Sequence, residues 1–308
     1  MIEVENLSKR FGNLEAIKDI SFSVEKGKIW GFLGPNGAGK TTTMRILTGY
    51  LPPSSGTARI SGLDVTADPN RVKKKVGYLP EIVPIYPEMT VKEYLRFIAE
   101  ISGIQRKKIN SAVQGVVERA HLKEVYSRLV KNISKGYRQR LGIAQAIIHE
   151  PEILILDEPT IGLDPAQIIE IREMIQSFRG NTTIILSSHI LPEISQVCDG
   201  AVVIKEGQLM ANMTRDEWNK NLEIILTSQQ GIAEQELKAK FPGIQAVKLI
   251  KNSLMITFND IISNINPLLQ YLIRQRVVIK EVKAGLEGLY MNIISTEGSQ
   301  PGLSGSHQ

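Results

Sequence analysis

Residues Gly34 to Thr41 read GPNGAGKT, a full match to the pattern G-x-x-x-x-G-K-[ST]. Each residue type has a task in phosphate chemistry. Gly34, Gly37 and Gly39 let successive backbone N–H groups turn inward around phosphate oxygens, with Pro35, Asn36 and Ala38 spacing the loop. Lys40 neutralises β and γ oxygens, and the Thr41 hydroxyl can ligand Mg²⁺. Thr42 follows in the first turn of a helix whose N-terminus adds positive potential. Hydrolysis of a bound nucleotide also needs a carboxylate for the metal and a group that handles water. Ile153 to Pro159, ILILDEP, supplies two adjacent carboxylates at the end of an apolar run. Asp157 is expected to hold the Mg²⁺ shell and Glu158 to polarise the attacking water, while the metal and Lys40 stabilise the transferred phosphoryl group. A plain βα turn and a simple helix cap are the competing readings of these two segments.

The elements that must position these groups are legible nearby. Lys28 to Leu33 (KIWGFL) is a short apolar strand that enters the glycine loop, and Met44, Leu47 and Leu51 then recur at helical spacing. Ile153–Leu156 and Thr183–Leu186 are continuous, β-branched runs, as in parallel strands buried on both faces. Between the first strands and these lies a mostly helical stretch, about 88–150, in which Thr90 and Glu93 form a capping box for TVKEYLRFIAEI. The first two thirds therefore read as an α/β core with a parallel sheet and a helical insertion.

The chain has 308 residues, which suits two domains at roughly 150 residues each. Hydrophobic residues make up 42% and charged residues 22%, enough apolar material for packed cores. The longest apolar runs fall well short of the roughly 18 to 20 residues that cross a bilayer. MIEVENLSKR has no apolar block, so neither a signal nor a transit peptide is expected. One cysteine, Cys198, excludes an internal disulfide and cysteine-based metal clusters. A net charge of +5, from 37 basic and 32 acidic residues, is a mild excess that ordinary solvated surface accounts for. The lysine-rich runs 73–75 and 106–108 read in the same way, with anionic lipid headgroups as the alternative.

After about Arg215 glycines thin out and the order becomes strand, helix, strand, strand, helix, strand. The approximate bounds are 222–226, 232–241, 244–250, 254–258, 261–275 and 277–282. That order predicts a ferredoxin-like α+β domain, with continuation of the first sheet as the alternative. The expected organisation is 1–214 for the nucleotide-binding domain, 215–294 for the accessory domain and 295–308 for a disordered tail.

Six motifs in order carry a resemblance to the ATP-binding subunit of ABC transporters across roughly Met1 to Met213: GPNGAGKT, GYLPE (77–81), ISKGYRQR (133–140), ILILDEP, GLDP (162–165) and SSH ending at His189. The resemblance implies a P-loop NTPase core of the ABC type with an antiparallel β subdomain, binding ATP and Mg²⁺. It implies that Ser134 and Gly136 contact the γ-phosphate held by the other subunit's P-loop and that His189 is a switch histidine on the same phosphate. Asp164 then joins the two sites across the dimer, and Phe11, in KRFG, stacks on adenine; Phe11 as a core residue and Ser134 as a helix cap are the plainer readings. Lys135 and Tyr137 replace the family's usual glycine and glutamine, and Glu81 stands where a metal- and partner-sensing glutamine usually sits, which changes its charge and hydrogen-bond capacity.

GYLPE and SKGYRQR resemble a subgroup of bacterial exporter subunits acting on drugs, lipids or polysaccharide, including the gliding-motility type. The expectation is therefore a homodimeric ATPase at the cytoplasmic face of the inner membrane, peripheral to it, powering a separately encoded membrane-spanning permease. No nucleic acid partner is expected. The alternative is a soluble ABC-type ATPase acting on ribosomes or DNA.

Overall fold

Buried and less buried side chains alternate over residues 2–5 of Ile2–Phe11 (β1) and residues 19–24 of Leu14–Val24 (β2), and Gly12, at φ 57°, turns one strand back on the other. The structure is a computed structural model that describes residues 1–227, 233–288 and 290. The chain divides into two units, Met1–Asn212 and Met213–Gln308. The expected tail, 295–308, and the end of the expected accessory domain lie outside the described residues.

In the first unit the hairpin is followed by β3 (Ile29–Leu33), α1 (Lys40–Leu47), β4 (Ser55–Ile60), β5 (Leu63–Asp64), α2 (Pro69–Lys75) and β6 (Val76–Leu79). Three helices come next: α3 (Val91–Ile101), α4 (Arg106–Arg119) and α5 (Lys135–Ile147). The unit continues through β7 (Ile153–Asp157), α6 (Pro165–Ser177), β8 (Thr183–Ser188), α7 (Leu191–Val197), β9 (Gly200–Lys205) and β10 (Gln208–Thr214). Its strands form a four-stranded sheet, β2-β1-β4-β5, and a six-stranded sheet, β10-β9-β3-β8-β7-β6, in which β3, β6, β7, β8 and β9 pair in parallel. Every residue of β7 and β8 is buried, as continuous apolar strands covered on both faces require. Helix α1 packs between the two sheets, where Met44, Ile46 and Leu47 join Ile17 and Ile60 from one and Phe32 and Ile155 from the other.

Two local signals have clear outcomes. Thr90 Oγ1 accepts from Glu93 N at 3.2 Å and Glu93 Oε2 accepts from Thr90 N at 2.8 Å, the reciprocal bonds of a capping box opening α3. Helix α1, however, stops at Leu47 although its apolar spacing runs on to Leu51. Gly49, at φ 66°, takes the left-handed turn, and Leu51 N donates to Arg45 O outside the helix.

The second unit opens with the short helix α8 (Arg215–Trp218), followed by β11 (Asn221–Leu226), α9 (Glu234–Lys240), β12 (Ile244–Ile250), β13 (Ser253–Phe258), α10 (Ile261–Arg274) and β14 (Ile279–Ala284). These four strands make a sheet of their own in the order β12-β13-β11-β14, antiparallel throughout, so they do not extend the six-stranded sheet. Leu222, Ile224, Phe258, Leu268 and Leu272 anchor its separate core. Among the described residues no helix is long and apolar enough to cross a membrane.

Candidate functional site

Strand β3 ends where the glycine loop begins, and two of the loop glycines are required by close backbone approach. A Cβ on Gly34 would lie 2.2 Å from the Ile204 carbonyl oxygen; on Gly39, at φ 106°, it would lie 2.6 Å from that of Ala16. No side chain caps α1, so its first N–H groups face outward from a glycine, the arrangement that receives a phosphate. Lys40, buried, donates from Nζ to the Gly34 carbonyl at 2.8 Å and to that of Pro35 at 3.3 Å. Ala38 is buried beneath the loop, and its carbonyl accepts from Gly207 N at 3.1 Å. Gly39 and Lys40 border a cleft of about 410 Å³ that Asn36, Gly37, Thr41 and Thr42 also line. Glu81, Glu158 and Phe11 line it as well. Phe11 is 47% exposed, with Lys9 Nζ 5.2 Å from its ring centre, so it is a cleft residue and not a core one.

The acid pair is positioned by sheet order. Strand β8 lies between β3 and β7, with Ser188 opposite Leu33 and Ser187 opposite Asp157. Asp157 is fully buried, and its Oδ1 accepts from the Ser187 hydroxyl at 2.6 Å. Its Oδ2 has no hydrogen-bond partner among the described residues, which is the condition of a carboxylate oxygen kept for a cation or its water. Burial, and secondarily the charge of Asp157, pushes the Tyr78 hydroxyl up to about 12. Among the described residues no three His, Cys, Asp or Glu side chains form a metal cluster. The Thr41 hydroxyl and the Asp157 Oδ2 are hard oxygen donors of the kind that suits Mg²⁺, which keeps water and phosphate oxygens in its shell.

Glu158 holds a left-handed backbone, φ 49°, a conformation costing roughly 1 kcal/mol or more for a residue with a Cβ. Its N–H donates to the Ser187 carbonyl at 3.2 Å and the Ser187 hydroxyl at 3.0 Å, which fixes the turn. The buried carboxylate then reaches two groups. Oε1 lies 3.3 Å from Lys40 Nζ, and Oε2 accepts from His189 Nδ1 at 2.8 Å.

The remaining motifs form a different surface. Ser134 caps α5, its hydroxyl accepting from Tyr137 N at 3.3 Å, and Asp164 caps α6, accepting from Gln167 N at 2.9 Å. A Cβ on Gly136 would come 2.7 Å from the Gln167 side chain, so these two helix starts touch. Ser134, Gly136, Asp164 and His189 do not line the Lys40 cleft. Lys135 shares a second cleft, of about 420 Å³, with Glu81, Arg138 and Ile161. Tyr137 is turned to Glu124: its hydroxyl donates to Oε2 at 2.9 Å, which raises its pKa, and the Arg140 guanidinium lies 5.3 Å from the ring centre.

Sequence reasoning missed Leu14, Ala16 and Ile161, which also line the phosphate cleft, and the supporting role of Ser187. Leu14 was signalled by Gly12 and Asn13, a turn that sets it opposite Phe11. Ser187 stands in the SSH motif, but its partner could be found only from the register of β7 on β8.

A glycine loop between strand and helix, a buried lysine and an acid pair at the end of a parallel strand define a P-loop ATPase. The family model described as "ABC transporter" matches residues 17–161. The chain is 40% identical over 235 residues to the bacitracin transport ATP-binding protein BcrA of Bacillus licheniformis, covering 74% of this chain and 76% of that one. It is 32% identical over 312 residues to the uncharacterized ABC transporter ATP-binding protein YhcH of Bacillus subtilis (strain 168), covering 97% and 96%. A solved ATP-binding subunit of an ABC transporter superposes with a TM-score of 0.65 at 29% identity, covering 78% of this chain and 98% of that one. The chain belongs to the ATP-binding subunits of ABC transporters. It binds and hydrolyses ATP to power a transporter; action on ribosomes or DNA is not favoured.

Proposed function

We propose that two copies of the chain pack head to tail, so that each ATP lies between the Lys40 loop of one and the Ser134–Gly136 segment of the other. The observation that supports this is a separation within one chain: Lys40, Thr41, Glu81 and Glu158 line one cleft, and Ser134 and Gly136 do not. A twofold pairing makes two equal sites. Phe11 stacks on adenine, Gly34 to Thr42 hold the phosphates, and Asp164 joins the sites across the interface. Mg²⁺, when bound, supplies positive charge to the phosphate oxygens; Thr41 and Asp157 are the protein groups that hold it, with Glu81 at the cleft's edge. Glu158 takes the proton of the attacking water. His189, whose Nδ1–H is given to Glu158, meets the γ-phosphate with its other ring nitrogen.

The same reading assigns 1–214 to the ATP-binding domain and 215–294 to a ferredoxin-like accessory domain, supported by the order β14-β11-β13-β12. That domain either stabilises the dimer or senses a ligand. A separately encoded permease docks near Glu81 and the helical insertion, where Ile82 is 84% exposed and Tyr86 52%. The assembly is an exporter, and the chain lies peripherally on the cytoplasmic face of the inner membrane. The test is a detergent pull-down from native membranes with tagged Glu158→Gln protein and ATP. A polytopic membrane protein in near-equal amount is the expected result; ribosomal proteins or nucleic acid without one would overturn the proposal.

A further inference from the structure

One buried carboxylate has no part in the site described above. Glu193, in the first turn of α7, is 2% exposed and forms no ion pair among the described residues. Its Oε1 accepts from the Thr160 hydroxyl at 2.5 Å and its Oε2 from the Ser188 hydroxyl at 2.7 Å. Burying a carboxyl group with only two hydroxyl partners is costly, so the geometry it imposes calls for a reason.

The two partners supply one. Thr160 lies two residues after Glu158, and Ser188 immediately precedes His189. The Ser188 hydroxyl also accepts from Ile190 N at 2.9 Å, closing a ring of bonds around the histidine. On the other side Ser187 holds the Glu158 backbone. Helix α7, which carries Glu193, is seated on β3 so tightly that a Cβ on Gly31 would fall 2.4 Å from the Ile194 side chain. The clamp thus ties the segments bearing the base and the histidine to the strand that leads into the phosphate loop.

We infer that Glu193 is a positioning residue for hydrolysis, its carboxylate bridging Thr160 and Ser188 so that His189 and Glu158 keep their mutual contact during turnover. This rests on the roles proposed for Glu158 and His189.

The test is steady-state ATPase kinetics of the full chain, with binding of a fluorescent ATP analogue measured in parallel. Glu193→Ala is expected to lower kcat about tenfold while KM and analogue affinity stay within about twofold, the pattern of a lost transition-state interaction. Glu193→Gln should restore most of that rate, since an amide can accept from one hydroxyl and donate to the other. On a His189→Ala background, Glu193→Ala should cost less than about twofold more, because groups acting through one another are not additive. Should Glu193→Ala fail to fold, Ser188→Ala, which removes one arm, is expected to lower kcat about threefold at unchanged KM. Parental kcat in the variant that folds, or a loss that multiplies in full on His189→Ala, would overturn the inference. A His189→Ala protein at the parental rate overturns the histidine's role and this inference with it; a slow one beside a Glu193→Ala protein at the parental rate overturns this inference alone.

Discussion

The Lys40 ammonium and the Glu158 carboxylate stand 3.3 Å apart, with 6% and 7% of their side chains exposed. Neither charge depends on the other alone: Lys40 also donates to the Gly34 and Pro35 carbonyls, and Glu158 also accepts from His189. A γ-phosphate held by the loop would share Lys40 with Glu158, so the Glu158 carboxylate would compete with it for one cation. Glu158→Gln removes both the competitor and the base proposed above. Its ATP affinity should equal or exceed the parent's, while turnover falls by about 100-fold or more, the range for a lost general base. Calorimetry and a phosphate-release assay check the two parts; parental turnover would remove Glu158 from the mechanism.

Phe11 leaves half its surface open at the cleft, next to Lys9. Base–aromatic stacking is worth about 1–3 kcal/mol, so Phe11→Ala should weaken ATP binding by about fivefold or more. Inorganic triphosphate, which has no base, should bind the variant and the parent alike. Equal weakening for both ligands would place Phe11 in the loop's support and not at the base.

Asp157 keeps one buried oxygen without a partner among the described residues, while Ser187 occupies the other. Asp157→Asn retains the shape and loses the charge. The Mg²⁺ concentration for half-maximal ATPase activity should rise about tenfold or more, as loss of one of few protein ligands implies. ATP binding measured in EDTA should be unchanged. An unaltered Mg²⁺ requirement would exclude Asp157 from the metal shell.

Burial holds the His149 imidazole below its ordinary pKa of 6.5, opposed by its bond to the Val76 carbonyl. As pH falls past 6.5, the unfolded chain takes up this proton first, and the folded chain does so only below its depressed value. Stability is therefore lost with falling pH in that window, by up to about 1.4 kcal/mol per pH unit. His149→Gln should lose this slope. Urea unfolding of both proteins at pH 7.5 and 5.5 measures it, and identical slopes would rule the group out.

Sequence alone determined what short-range spacing encodes. The glycine loop, the Thr90–Glu93 capping box, and Ser134 as a helix cap each depend on bonds made within one turn. The buried character of Ile153–Leu156 and Thr183–Leu186 was likewise written in unbroken apolar runs. Spacing could not say that α1 ends at Leu47, ahead of the Gly49 turn, since an apolar residue past the helix end still finds the core. Tertiary structure decided which distant groups meet. Lys40 follows β3 and Glu158 follows β7, and only the insertion of β8 between those strands sets Ser187 beside Asp157 and His189 on Glu158. The same ordering leaves Ser134 and Gly136 outside the cleft of their own chain. Strand order and register arise from long-range crossovers and packing, which carry no local periodicity, so they come into being only when the sheet is assembled.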